Sequence, residues 1–231
     1  MFRITLVLTA TLSFICGPDP RAFAGQIKGV ARLIGQAPPR KALDMKADPF
    51  CAAKSAKEEE LIAGPQGALK NVVVRVVKGA PAGTIAASAA VVLDQDGCSY
   101  RPRVAVAQAG QEVLIKNSDQ TLHNVHTYRG AVTLSNQAQP QSFPPIKQQF
   151  PTAGDVIKFK CDVHPWMTGW VVVTDNSFFA VTAEDGAFVL DKLPPGIYTI
   201  QAWHETLGTQ TREVKVVEGK PVVLKLDFAI K

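Results

Sequence analysis

Long apolar runs are scarce in this 231-residue chain. After Gly25 none reaches the length of about 20 residues that a membrane-spanning helix needs. Helical periodicity is scarcer still, being absent after residue 62. The common catalytic signatures are missing as well: there is no G-x-S-x-G, no phosphate loop, no H-E-x-x-H and no paired acid/base carboxylates. That removes the usual hydrolases, nucleotide enzymes and zinc proteases. Histidine is sparse as well, with four residues in all, too few donors for an enzyme that needs two metal sites. Positive charge exceeds negative, 25 Lys and Arg against 20 Asp and Glu, but it is spread along the chain. Without a basic patch there is no case for a nucleic-acid partner. Disorder is excluded too, because 46% of residues are hydrophobic, ample for a packed core.

What is present begins with a leader. Arg3, an apolar run from Ile4 to Cys16, and Ala22-Phe23-Ala24 form the basic, hydrophobic and A-x-A segments of a signal peptide spanning 1–24. Cleavage after Ala24 would leave a periplasmic or secreted chain with no membrane span, and a net charge of +4 instead of +5, since Arg3, Arg21 and Asp19 leave with it. Three cysteines remain: Cys51, Cys98 and Cys161. If Cys161 is occupied otherwise, Cys51 and Cys98 are left to pair as a disulfide in an oxidising compartment, the alternative being two free buried thiols.

Short strands are expected over 26–33, 72–77, 90–93, 103–107, 112–116, 122–127, 147–150, 155–160 and 170–174, then over 178–181, 187–190, 198–203, 212–217 and 222–226. They alternate apolar and polar residues and are separated by Gly, Pro, Asn and Asp turns. Glu184-Asp185-Gly186 reads as a hairpin turn. One short helix is expected near 50–62, with Glu58-Glu59-Glu60 as its solvated face. The fold class is all-β, an antiparallel sandwich architecture.

The chemistry concentrates in Cys161-Asp162-Val163-His164-Pro165-Trp166-Met167, which places a thiol, an imidazole and a thioether at i, i+3 and i+6. Upstream, His123 in Asn117-x-Asp119…His123-Asn124-Val125 offers a second imidazole. One thiolate, two imidazoles and a weak thioether make a trigonal set with a long axial contact, which suits a copper ion cycling between two oxidation states. Zinc is the competing ion for one thiolate and two imidazoles. His126, three residues from His123 on a strand, faces the other way and reads as an exposed or second-shell group. His204 reads as structural, Trp170 as core, and Trp166 either as loop packing or as a candidate electron exit.

Cys161-x-x-His164-x-x-Met167 between two β runs resembles the copper loop of cupredoxins, most of all amicyanin. The segment around His123 is similar to the first-histidine segment of plastocyanin and amicyanin. Tyr100-x-Pro102 and Gly110-Gln111-Glu112-Val113 resemble the strands before it. Thr182-x-x-x-Gly186-x-Phe188-x-Leu190 and Leu193-Pro194-Pro195-Gly196-x-Tyr198 resemble the carboxypeptidase regulatory-like domain, a transthyretin-like β-sandwich. The two resemblances imply a cupredoxin-like Greek-key sandwich over 89–175, set inside or before a second sandwich made of 25–88 and 176–231. Exported bacterial proteins that combine these modules include some labelled as methylamine-utilisation proteins.

The resemblance implies one type 1 copper held by His123, Cys161, His164 and Met167, with Asn124 tying the two ligand segments together. It further implies a one-electron carrier, not an enzyme, whose redox partner is a dehydrogenase or a c-type cytochrome. The alternatives are a non-redox module for copper storage or delivery, and one that binds carbohydrate or protein.

Overall fold

A computed structural model describes residues 25–81 and 89–230. The signal-peptide expectation and most of the connection expected over 79–88 fall outside the described residues. Alternation of buried and exposed positions becomes strand along nearly the whole described chain. Two strands come first, β1 (Gly25–Ile34) and β2 (Val73–Lys78). Nine follow: β3 (Val91–Gln95), β4 (Tyr100–Arg101), β5 (Val104–Gln108), β6 (Glu112–Asn117), β7 (His123–Arg129), β8 (Val132–Gln139), β9 (Ile146–Gln149), β10 (Val156–Lys160) and β11 (Thr168–Thr174). Five more complete the described chain: β12 (Phe179–Val181), β13 (Ala187–Leu193), β14 (Gly196–His204), β15 (Gly208–Val216) and β16 (Val222–Ala229). The all-β expectation therefore holds.

The strands form four sheets, ordered β13-β1-β16, β12-β2-β14-β15, β5-β11-β10-β7-β8 and β4-β3-β6-β9. The first two enclose one core, built on Ile27, Leu69, Val74, Leu190, Ile200 and Phe228. The last two enclose another, built on Leu93, Tyr100, Ile115, Phe159, Cys161 and Met167. We call these the outer and inner sandwiches. A smaller apolar contact, with Val73 of β2 against Val104, Val106 and Val172, joins them. Beside it the buried Arg103 guanidinium forms a bidentate pair with Glu205, and the Trp170 indole N–H donates to the same carboxylate at 2.8 Å. Trp170 is thus half-buried at the junction instead of inside a core.

Four expectations are corrected. The sheets are not purely antiparallel: β1 pairs parallel with β16, β5 with β11 and β3 with β6, all strands that are not consecutive in the chain, since parallel neighbours need a crossover and not a hairpin. The Glu184–Gly186 turn does not join a hairpin. β12 pairs with β2 and β13 with β1, in different sheets, so the turn carries the chain across the outer core. Gly186 suits it, with φ +68° and a Cβ position that would lie 2.5 Å from the Ala31 carbonyl oxygen.

The one short helix is present but shorter than expected, a single turn at Pro49–Ala52 with Asp48 as its cap. Glu58 instead lies in extended backbone that pairs back with Lys41, and Glu59 bonds Arg101 at 2.6 Å. Finally, β8 was not expected. It is an edge strand on β7 whose side chains are almost all exposed, so no apolar period marks it.

The segment between β1 and β2 has its own use. Leu43 pairs with Ala56 and Lys41 with Glu58, which pins residues 41–58 into a closed strap. Its tip carries the Pro49–Ala52 turn, and Met45 and Cys51 pack into the inner core. Cys51 and Cys98 are disulfide-bonded, leaving Cys161 as the free cysteine among the described residues.

Candidate metal centre

Strand pairing explains how residues about forty positions apart meet. β10 lies between β7 and β11, so the end of β10 at Lys160 is registered against His126 of β7 and Thr168 of β11. Cys161 leaves β10 at the same end of the sheet where His123 enters β7. The loop between β10 and β11 then turns tightly, with the Met167 N–H donating to the His164 carbonyl at 2.9 Å. Cys161, His123 and His164 are all fully buried, and Met167 is 1% exposed.

The donor atoms face one point. The His123 Nδ1 and His164 Nδ1 atoms lie 2.8 Å apart, and the Cys161 Sγ is 3.9 Å from the first and 3.6 Å from the second. Together these three residues form a compact group able to hold a metal ion. Two facing ring nitrogens at that distance must share a proton or a cation between their lone pairs. Met167 packs in the same core as Cys161. A soft thiolate with two imidazoles and a nearby thioether fits copper by donor chemistry.

Burial pulls His123 down, but the hydrogen bonds that its ring donates to Asp119 and Cys161, and the charges of those groups, outweigh it and raise the imidazole to about 9. Burial raises the Cys161 thiol, yet the bonds from His123, the Asn124 N–H and His164 bring it below its ordinary value. His164 moves the other way, lowered by burial and by the charge of His123 against the pull of Asp48. The pocket thus biases Cys161 toward the thiolate, His123 toward the cationic ring and His164 toward the neutral one, and a metal cation could take the place of the proton between the two rings.

Asn124 ties the two segments. Its backbone N–H points at the Cys161 sulfur at 3.5 Å, and its side-chain oxygen accepts from the Asp162 N–H at 2.6 Å. Its amide nitrogen donates to Asp162 at 3.0 Å. His126 stays outside the donor group and bonds the Asp162 carboxylate at 2.9 Å. His204 is buried in the outer sandwich, where its ring nitrogen caps the Thr206 and Leu207 N–H groups. The Trp166 ring centre lies 5.1 Å from that of His164, and its indole N–H donates to the Cys98 carbonyl. Trp166 and Met167 both line a cleft of about 460 Å³ between the strap and the two sandwiches.

Two residues had no assigned role in the sequence reading. Asp119 bonds the outer nitrogen of His123 at 2.9 Å, and Asp48 bonds that of His164 at 3.1 Å. Asp119 sits four residues before His123, a local cue. Asp48 before Pro49 signals only a helix cap; nothing local points it at a residue 116 positions away.

No family model and no curated protein matches the chain. Solved structures similar to it over part of its length include a purple cupredoxin, amicyanins and a copper-containing nitrite reductase. A purple cupredoxin from Nitrosopumilus maritimus is 22% identical over 36% of this chain and 99% of its own, with a TM-score of 0.33. A reduced amicyanin variant is 25% identical over 43% of this chain and 97% of its own, with a TM-score of 0.34. The copper-containing nitrite reductase of Thermus scotoductus is 20% identical over 44% of this chain and 28% of its own, with a TM-score of 0.34.

Proposed function

We propose that this is an exported one-electron carrier with a single type 1 copper held by His123, Cys161, His164 and Met167. The observation that carries the proposal is the convergence of one thiol and two Nδ1 atoms, within 3.9 Å of one another, inside a pocket sealed from solvent. Bound copper would supply one-electron chemistry. The residues do the rest. Cys161 provides the thiolate, and the Asn124 N–H steadies its sulfur. The two imidazoles are each fixed at the outer nitrogen, and Met167 closes the loop against the core. A donor set held this way reorganises little when the charge at its centre changes.

Burial of all four donors also favours retention over delivery, because an ion to be handed on needs an open edge. Trp166, half-buried between His164 and the cleft, is the residue we assign as electron exit. The partner would be a dehydrogenase or a c-type cytochrome. In the same reading, residues 89–175 are a cupredoxin domain inserted into a carboxypeptidase regulatory-like sandwich formed by 25–88 and 176–231. The pairing of β1 and β2 with strands after residue 178 supports that division.

Titration with Cu(II) tests the proposal. The wild type is expected to develop an intense thiolate-to-copper band and a reversible one-electron potential, and Cys161→Ser to lose the band entirely. A colourless copper-loaded wild type would refute it. Rapid loss of copper to a chelator at an intact site would favour the delivery reading.

A further inference from the structure

We infer that Asp48 is a positioning residue of the metal centre, brought to it by the strap from outside the inner sandwich, with Asp119 as its counterpart on the other ring. The inference rests on the copper reading above and deepens it, because it assigns the groups that aim the two imidazoles.

The two oxygens of Asp48 divide the work. Oδ1 accepts from the Phe50 and Cys51 N–H groups at 2.8 and 3.0 Å, which caps the helical turn. Oδ2 takes the Thr121 hydroxyl at 2.6 Å and the His164 Nε2 at 3.1 Å. Asp119 is also held by two backbone N–H groups, but its oxygens share the work: Oδ1 accepts from the Gly97 N–H and Oδ2 from the Cys98 N–H, both at 2.8 Å, and Oδ2 also bonds the His123 Nε2 at 2.9 Å.

The disulfide joins the two halves. Cys51 donates its N–H to the carboxylate that holds His164, and Cys98 donates to the one that holds His123. Both half-cystines are fully buried, so the bond works as a fixed tie and not as a switch. Each ring is thus gripped at Nε2 by a carboxylate that is itself held by two backbone N–H groups, leaving both Nδ1 atoms to face Cys161. A ring fixed in this way keeps one tautomer and cannot swing its inner nitrogen away from a bound ion.

The consequence is that the inner sandwich does not complete its own site. His164 is fully buried where the strap tip lies against its outer edge, and the strap lies in the connection between β1 and β2, both strands of the outer sandwich. Trp166 on the cleft then becomes the route past the cover.

Asp48→Asn separates positioning from capping. Asparagine caps a helix as well as aspartate does, so its oxygen can serve Phe50 and Cys51. Its NH₂ group would then meet the His164 Nε2–H donor to donor. We expect D48N to keep the amide-exchange protection of residues 50 and 51 and to keep the thiolate-to-copper band, shifted. It should release copper to a chelator roughly 10–100-fold faster than the wild type, the usual range for removing such a partner. Release within about twofold of the wild-type rate would overturn the inference.

If the wild type itself gives no thiolate band, the copper reading fails, and positioning is then judged on the metal-free protein by ¹⁵N NMR of the His164 ring. A single Nε2–H tautomer in the wild type that becomes mixed in D48N supports the role of Asp48. An unchanged tautomer in D48N refutes it.

Discussion

The two sandwiches are built alike and filled differently. The outer core is almost wholly aliphatic and aromatic, and its one buried histidine, His204, serves as a turn cap. The inner core carries a free thiol, a disulfide, a methionine and two facing histidines at one end. Sheet-on-sheet packing alone therefore does not make a site. What separates the two regions is polar groups buried beside apolar walls, each with a partner that fixes its direction. In the outer sandwich the buried polar groups are spent on partners: Thr182, Asn176 and His204 bond backbone groups, and Arg75 bonds the Gln201 side chain and the Val173 carbonyl. In the inner one, two Nδ1 atoms and a sulfur are left pointing at each other, with only a proton or a cation to reconcile them.

Three measurements sharpen this contrast. The largest effect is expected at the junction. Glu205→Ala leaves the buried Arg103 guanidinium unpaired and removes the acceptor of Trp170, and breaking such a pair costs about 3–5 kcal/mol. Urea unfolding would measure it. Glu205→Gln, which keeps the acceptor but loses the charge, is expected to cost less. A loss below about 1 kcal/mol in Glu205→Ala would mean that the pair is solvated and the sandwiches meet only through their apolar contact.

The second concerns acid. Burial, followed by the charge of Arg103, lowers His204 from 6.5 to about 4. A depressed histidine contributes stability that is full above its unfolded value near 6.5 and is lost as pH falls toward the folded value near 4. At most about 3 kcal/mol is at stake. His204→Asn, which keeps an acceptor for the Thr206 N–H, is expected to flatten the acid limb of stability measured by denaturant titration between those two values. An unchanged limb would place the titrating group elsewhere.

The smallest effect is expected on β8. Val132 is exposed on that edge strand, and Val132→Thr is predicted to change stability by no more than about 0.5 kcal/mol.

Much of the fold was legible because strands with one buried face write their period into the sequence. β1, β6, β10 and β14 show it, each buried at alternate positions. β8 was not legible because its side chains face solvent on both sides, so hydrogen bonding to β7 alone makes it a strand. The Glu184–Gly186 turn misled for a related reason. A hairpin and a crossover use the same turn residues, and only the choice of partner strand separates them.

At the site, Cys161, His164 and Met167 announced themselves by spacing within one loop, and His123 by its neighbours Asp119 and Asn124. Asp48 could not, since a cap residue uses one oxygen locally and the fate of the other depends on what folds over it.

The class of structure and the donor types are written locally in the chain. Alternation and turn chemistry make strands, and a thiol three residues from an imidazole offers two donors from one loop. Tertiary structure alone decided that β10 would lie beside β7, which brings the second imidazole to the first. It also decided that the strap would lay Asp48 against His164. Both follow from contacts between residues far apart in the chain, and such contacts leave no local period to read.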